Sequence, residues 1–206
     1  MHYPTDTNLL GDSDGLPGFF YQRDIGTFKA MALVANLQKE CIATTEICGH
    51  ALRLEQAIER GLDLSCDVAI CGVGNNPARV VASRFFRSNA VPVIFAAVSR
   101  HGDHGYLFVQ EKGGPCIGCL FPDMADDDRY PCPGTPAIVD ILQLLGALAV
   151  YAVDTLLMPR PRRWNYRRVD LADDLLSGAA MLPSRTGCAT CEAFASRAMT
   201  MTHCHL

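Results

Sequence analysis

Apolar residues along this chain change their spacing several times, and each spacing predicts a type of element. Between 27 and 40 they recur at helical intervals after Thr27, a residue that can cap a helix. The runs 67–71 and 91–98 are apolar almost throughout, which is typical of buried parallel strands. The other predicted elements are a strand at 41–47, a short amphipathic helix at 51–60, a turn at 72–77, a helix at 77–88, a strand at 105–110, a loop at 116–128, a long apolar helix at 136–158 and a half-exposed antiparallel strand at 160–171.

The order of these elements predicts the fold class. Helices that alternate with apolar strands form βαβ units, so we expect an α/β fold with a Rossmann-like, mostly parallel sheet and helices on both faces. The later strands are expected to be antiparallel. No repeat or low-complexity linker interrupts the chain, which favours a single domain over 1–206. Within it we expect a loop-rich start at 1–25, a flexible crossover-type loop at 116–135 and a tail at 192–206.

Composition narrows the classes of function. The chain has 206 residues, 49% of them hydrophobic, and a formal net charge of −4. Such a chain can bury a core, and its weak acidity argues against a nucleic-acid binder, which needs clustered positive charge. The first residues have neither the basic nor the apolar region of a signal peptide. We therefore expect a cytoplasmic protein whose thiols are reduced and free to bind metal.

The apolar segment 136–158 is long enough to cross a membrane. Asp140, Gln143 and Asp154 interrupt it, and charges within a membrane span are costly. A buried core helix or a dimer-interface helix is the better interpretation, so no membrane partner is expected.

Two C-x-x-C pairs are the most specific signal in the sequence. They are Cys116 with Cys119, and Cys188 with Cys191. A two-residue gap lets both sulfurs of one turn face the same ion, and two such pairs are a common tetrahedral zinc site. The long separation predicts a structural zinc that staples two distant segments together. Two disulfides or unrelated thiols are the alternatives; a redox role is weaker, because neither pair opens a helix after a strand.

The segment 115–122, Pro-Cys-Ile-Gly-Cys-Leu-Phe-Pro, resembles the P-C-x-x-C-L-[FWY]-P stretch of the ThiF/MoeB/HesA family, relatives of the ubiquitin-activating enzymes. In that family this stretch is followed by a loop cysteine, then by a long apolar helix and then by a second C-x-x-C. The corresponding features here are Cys132, the helix predicted from Pro136, and the pair Cys188 and Cys191. The segment 24–30 is similar to the family's D-x-G-x-x-K-A. The resemblance runs from about Asn8 to Cys191.

The resemblance implies an activity and a set of site residues. Members of the family bind ATP and Mg²⁺ and adenylate the C-terminal carboxylate of a ubiquitin-like or sulfur-carrier protein, and pyrophosphate is released. Lys29 matches the phosphate-contacting lysine, although a solvated helix residue is the alternative. Asn8 matches an asparagine near the nucleotide. Cys132 matches a cysteine that forms a thioester or persulfide in some members, although an inert loop thiol is at least as plausible.

Two departures from the family pattern bear on that activity. The G-x-G-x-x-G loop and its acidic ribose contact are missing, and the turn at 72–77 is a weak substitute because proline replaces its third glycine. The family's Asp-Asn pair is replaced by Gly74 and Asn75, with Arg79 as the arginine that follows. The lost aspartate is one that helps to hold Mg²⁺ in the family.

Three hypotheses follow from these signals. The first is a ThiF-type adenylating domain whose first βαβ unit lies upstream of this sequence. The second is a catalytically inactive, zinc-stapled pseudoenzyme that recognises a ubiquitin-like or enzyme partner. The third and weakest is a zinc protein with redox cysteines. The first two fit a subunit of a homo- or heterodimer.

Overall fold

The computed structural model describes residues 9, 19–41, 44–99, 101–122, 124, 139–158, 160–171 and 178–192. The chain divides into two compact units, Met1–Leu62 and Asp63–Leu206, and each is described by itself. The single-domain organisation and the three boundaries given above stay predictions.

The first unit is helical in its described part. After a short 3-10 helix at Gln22–Asp24 come helix α1, Lys29–Glu40, and helix α2, Leu54–Glu59. Both predicted helices are confirmed with shorter bounds. The amide of Asn36, which is buried in α1, donates to the Phe19 carbonyl and to Asp24 Oδ2, both at 2.8 Å. These bonds tie the segment before α1 to its inner face.

The strand predicted at 41–47 is wrong over its described residues. Residues 41 and 44–47 have no regular structure, and all but Ile47 are exposed. A strand needs a partner for its backbone N–H and C=O groups, and no strand of the described chain pairs with this segment. Local β-propensity alone did not make a strand here.

The second unit contains a five-stranded sheet in the order β1-β2-β3-β4-β5. Strands β1 and β2 are parallel and are joined by helix α3, Asn76–Ser88, so they form a βαβ unit. The other neighbouring strands pair antiparallel, which confirms the α/β class with antiparallel strands after a parallel start. The strands are β1 Ala69–Cys71, β2 Val93–Val98, β3 His104–Gln110, β4 Tyr166–Asp170 and β5 Gly178–Ala180.

Helices cover both faces of this sheet, as predicted. Residues paired in register share a face, so Cys71, Phe95, Phe108 and Tyr166 lie together on the side of α3. The opposite face packs on helix α5, Val139–Leu157. That core consists of Ile94, Leu107, Val109 and Val169 from the sheet, Ile141, Leu145, Ala149 and Ala152 from α5, and Trp164.

Helix α5 is, by length and composition alone, apolar enough to cross a membrane. One helix of this kind is weak evidence of a membrane span, because core helices of α/β domains pass the same test. Here its inner side chains belong to the core, whereas Val150, at 61% exposure, and Leu157, at 58%, face outward.

Two short elements of the second unit were not predicted. Residues predicted as loop form helix α4, Ile117–Leu120, whose single turn is closed by a bond from the Phe121 amide to the Ile117 carbonyl. Strand β5, Gly-Ala-Ala, has no β-branched residue to indicate it, and it pairs antiparallel with β4.

Candidate functional site

The four cysteines of the two C-x-x-C pairs meet in the second unit. Cys116 is the N-cap residue of α4 and Cys119 lies within that helix. Cys188 precedes a helical turn that begins at residue 189, and Cys191 lies within it. Each pair therefore sits on one tight turn, which directs both of its sulfurs to the same side.

Their geometry suits one tetrahedral metal ion. All four Sγ atoms lie within 4.8 Å of one another. Cys116 Sγ is 3.8 Å from Cys119 Sγ, 3.6 Å from Cys188 Sγ and 3.3 Å from Cys191 Sγ. Sulfurs about 2.3 Å from a tetrahedral zinc lie about 3.8 Å apart, so the cluster needs only small adjustments to hold an ion. The four thiols are free, so disulfides do not account for their proximity.

The thiols differ in acidity. Burial, with the hydrogen bonds that Cys116 shares with Cys191 and Cys188, raises the pKa of Cys116 far above its usual range. Burial also raises the pKa of Cys119, but the Arg185 backbone N–H, which donates to its sulfur at 3.4 Å, and the Cys116 backbone lower the pKa to about 7 overall. Since metals bind thiolates, Cys119 is the sulfur best prepared to release its proton.

A buried polar network fixes the first pair to the sheet and to α3. Gln110, at the end of β3, is 1% exposed. Its Oε1 accepts from Ser83 Oγ at 2.7 Å and from the Ile117 backbone N–H at 3.2 Å. Its Nε2 donates to the Ser83 carbonyl at 3.0 Å. The Gln110 side chain therefore sets the orientation of α4 relative to the sheet.

An apolar cavity of about 370 Å³ lies beside the first pair. Phe108, Leu120 and Leu182 are among the residues that line it, and Cys119 is at its wall. Apolar surroundings limit the access of water to a metal centre, and a site with four protein ligands keeps no open position for substrate. The four cysteines could therefore hold a metal ion in a structural site.

Three of the other predicted site residues lie together where β1 ends and α3 begins. Gly74 is exposed in the turn, and Asn75 caps α3, its side chain accepting from the Ala78 backbone N–H at 2.8 Å. Arg79 lies in the first turn of α3 and donates from Nη1 to Asn76 Oδ1 at 2.7 Å. Ligands of open α/β sheets bind at this edge, beyond the carboxyl ends of parallel strands.

The remaining predicted residues belong to other parts of the chain. Lys29 is the half-buried first residue of α1, in the other unit. Asn8 and Cys132 lie outside the described residues.

One residue at this edge was missed by the sequence analysis. Tyr106, on β3, shares the face of the sheet that carries α3 and contacts the rings of Phe121 and Tyr166, with centroids 5.1 and 6.1 Å away. Burial raises the pKa of Tyr106 to about 12, although Arg79 acts in the opposite direction. In the sequence Tyr106 is one tyrosine in a predicted strand, and nothing near it in the chain indicates a functional role.

Comparison with known proteins identifies structures of similar fold but no protein of similar sequence. No protein-family model and no curated protein matches the chain by sequence. Among solved structures, E. coli MccB with ATP matches with a TM-score of 0.64 and 13% identity, over 84% of this chain and 53% of MccB. MccB in complex with N-formylated MccA matches with a TM-score of 0.65 and 13% identity, over 84% and 54%. The chain has the fold of MccB. It spans about half the length of MccB, a microcin C7 biosynthetic enzyme.

Proposed function

We propose that this chain carries most of a ThiF-type domain for ATP-dependent adenylation of the C-terminal carboxylate of a ubiquitin-like or sulfur-carrier protein. The observation that carries the proposal is the combination of the MccB fold with four converging cysteines from the P-C-x-x-C-L-F-P stretch and the later C-x-x-C. MccB has been crystallised with ATP and with MccA, so its fold accommodates a nucleotide and a second molecule. At 13% identity, no residue role is carried over from MccB.

The proposed roles follow from the chemistry of each side chain. The four cysteines hold a structural Zn²⁺ that fastens two distant segments of the chain. Arg79 supplies positive charge to a phosphate of ATP, and Asn75 lies near it at the N-terminus of α3. Lys29 has the role of a phosphate-contacting lysine that the family resemblance implies. Asn8 contributes to the nucleotide site and Cys132 is the candidate thioester or persulfide cysteine. Gly74 offers no carboxylate, so Mg²⁺ reaches the reaction with ATP or is held by other residues.

A catalytically inactive binding subunit is the second candidate. The observation in its favour is Gly74, which stands in the turn after β1 where the family pattern places an acidic ligand for Mg²⁺. In this second candidate function, the fold and the metal centre serve to recognise a ubiquitin-like or enzyme partner. The chain then forms no acyl-adenylate.

We further propose that the chain works in the cytoplasm as a homo- or heterodimer. The outward side of α5 presents Val150, Tyr151 and Leu157, all at least 44% exposed, and apolar surface of this kind is typical of interfaces. Light scattering on the purified chain tests this part of the proposal; a monomer at all accessible concentrations would contradict a homodimer.

The adenylation proposal is tested by ATP–pyrophosphate exchange on the purified chain, with a panel of ubiquitin-like and sulfur-carrier proteins. Exchange that depends on one carrier supports the enzyme. Lys29→Ala is expected to lower it by at least tenfold, whereas Lys112→Ala, an exposed lysine on the loop after β3, leaves it unchanged. Carrier binding without any exchange would support the inactive subunit instead.

A further inference from the structure

The apolar cavity with Cys119 at its wall has room for a ligand that the proposed function does not use. Its volume is about 370 Å³. A water molecule in the liquid occupies about 30 Å³, so the cavity has room for about twelve non-hydrogen atoms. Ligand cavities in proteins begin at about 300 Å³ and are lined mainly by apolar side chains with a few polar groups. This cavity meets both conditions.

The lining residues differ in exposure, which gives the cavity an apolar inner end and a polar mouth. Phe108 is buried, and Leu120 and Leu182 are half-buried. Ser184 and Arg185 are exposed and belong to the side that is open to solvent. A molecule in the cavity would therefore place its apolar part on the phenylalanine and the two leucines, and its polar end at the mouth.

Hydrogen bonds hold one wall of the cavity, the segment 182–185, near both of its ends. The backbone N–H of Leu182 donates to Asn165 Oδ1 at 2.7 Å, and Asn165 Nδ2 donates to the Leu182 carbonyl at 2.8 Å. The backbone N–H of Arg185 donates to Cys119 Sγ at 3.4 Å. A wall fixed in this way is already formed before a ligand arrives, so binding has little ordering cost.

The charges around the cavity favour an anion whose charge lies at the mouth. Arg185 is the one cationic residue of the lining, and no carboxylate is part of it. No ion pair within the described part of the chain uses its guanidinium. A Zn²⁺ ion held by four thiolates would have a net negative charge, so an anionic group would stay away from Cys119 and pair with Arg185.

We propose that this cavity binds a small organic anion with an apolar body of about eight carbon atoms and one carboxylate, as in a medium-chain fatty acid. The body lies on Phe108, Leu120 and Leu182 and loses its contact with water. The carboxylate pairs with the guanidinium of Arg185, whose planar fork matches a carboxylate in geometry. The site shares no residue with the edge between β1 and α3, so it does not depend on the proposed adenylation.

The test is calorimetric titration of the full, zinc-loaded chain with octanoate. A dissociation constant below about 1 mM is expected for a ligand of this size. The affinity should rise up to about fourfold for each CH₂ group added in the series butanoate, hexanoate and octanoate. Octan-1-ol has the same body without the charge, and it should bind about tenfold more weakly than octanoate.

Two variants separate the charge from the apolar contact. Arg185→Gln should weaken octanoate about tenfold and leave octan-1-ol unchanged. Its matched control is Arg160→Gln, which removes an equal charge from an exposed arginine after α5, outside the cavity, and should bind both ligands as the native chain does. Leu182→Gln should weaken both ligands at least tenfold, because it places a polar group on the apolar wall.

Zinc content and thermal unfolding show whether each variant keeps its fold, and Arg185→Gln changes only an exposed side chain, so it tests the proposal even if Leu182→Gln does not fold. No heat of binding with octanoate at about 1 mM would overturn the proposal. So would equal affinities of Arg185→Gln and Arg160→Gln for octanoate, or tighter binding of octan-1-ol than of octanoate to the native chain.

Discussion

Gly118 and Thr190 pack so closely that a Cβ atom on Gly118 would lie 2.6 Å from Thr190 Oγ1 and 2.9 Å from Thr190 Cβ. Gly118 lies between the cysteines of the first pair, and Thr190 lies between those of the second. The absence of a side chain at Gly118 is therefore what allows the two turns to approach until their sulfurs converge. This contact is a property of the protein surrounding the cluster and does not depend on the bound ion.

The first prediction concerns that contact. Gly118→Ala is expected to push the two turns apart, because a contact of 2.6 Å must relax and Thr190 is 7% exposed, with little room to move. Metal affinity should fall at least tenfold and stability by about 1–3 kcal/mol. Competition with a chromogenic zinc chelator measures the first and thermal unfolding the second.

Gly114→Ala is the matched control for this prediction. A Cβ atom there would lie 3.5 Å from the Glu111 carbonyl oxygen, an ordinary contact, and the residue is four positions away in the same segment. If Gly118→Ala bound zinc as tightly as Gly114→Ala, close packing of the two turns would not be what brings the sulfurs together.

The second prediction is that metal holds the second unit together. Without an ion the four sulfurs lose the common partner that would hold the two turns together, so removal of zinc by a chelator at neutral pH should lower the unfolding temperature by at least 10 °C. Cys119→Ser should do the same without chelator, while Cys41→Ser, an exposed cysteine after α1, should have no effect. Elemental analysis of the native chain is expected to find one zinc per molecule; a metal-free chain of unchanged stability would contradict this.

The third prediction concerns the Gln110 network. Gln110→Leu leaves Ser83 Oγ and the Ile117 backbone N–H without their acceptor in a buried position. We expect a loss of about 2–3 kcal/mol in the free energy of unfolding, measured with urea. The double variant Ser83→Ala, Gln110→Leu should recover part of it, since one of the two orphaned groups is then gone. A single variant within about 0.5 kcal/mol of the native chain would show that the network carries little stability.

The sequence was sufficient where the physical signal is local. The apolar runs of β1 and β2, the proline near the start of α3 and the spacing of the cysteine pairs each depend on residues close together in the chain, and each prediction was confirmed. Cys116 and Cys188 are 72 residues apart, yet their convergence was predictable because two C-x-x-C pairs commonly share one metal ion.

The contacts that could not be predicted join residues that are distant in sequence, and no chemical rule indicates which residues these partners are. Gln110 belonged to a strand of mixed character, and only the fold shows that Ser83, 27 residues away, meets it. The segment 41–47 has the composition of a strand but no neighbour to pair with in the described chain. Tyr106 is an ordinary strand residue until the register places it on the face of the sheet that carries α3. The roles of Lys29, Asn8, Cys132, Gly74, Asn75 and Arg79 stay predictions.

The last prediction is a dependence of stability on alkaline pH. The native pKa of Tyr106, about 12, lies above the ordinary value of 10, chiefly because burial disfavours the phenolate. The folded state therefore favours the neutral phenol: the resulting stabilisation is complete below pH 10 and is lost as the pH rises from 10 through 12. Two pKa units correspond to about 2–3 kcal/mol as an upper limit. Urea unfolding measures the free energy of unfolding between pH 9 and 12. Over this range the native chain should lose about 2–3 kcal/mol more than Tyr106→Phe does, and Tyr151→Phe should follow the native curve. Superimposable curves for all three proteins would place the Tyr106 hydroxyl in contact with water rather than in a buried site.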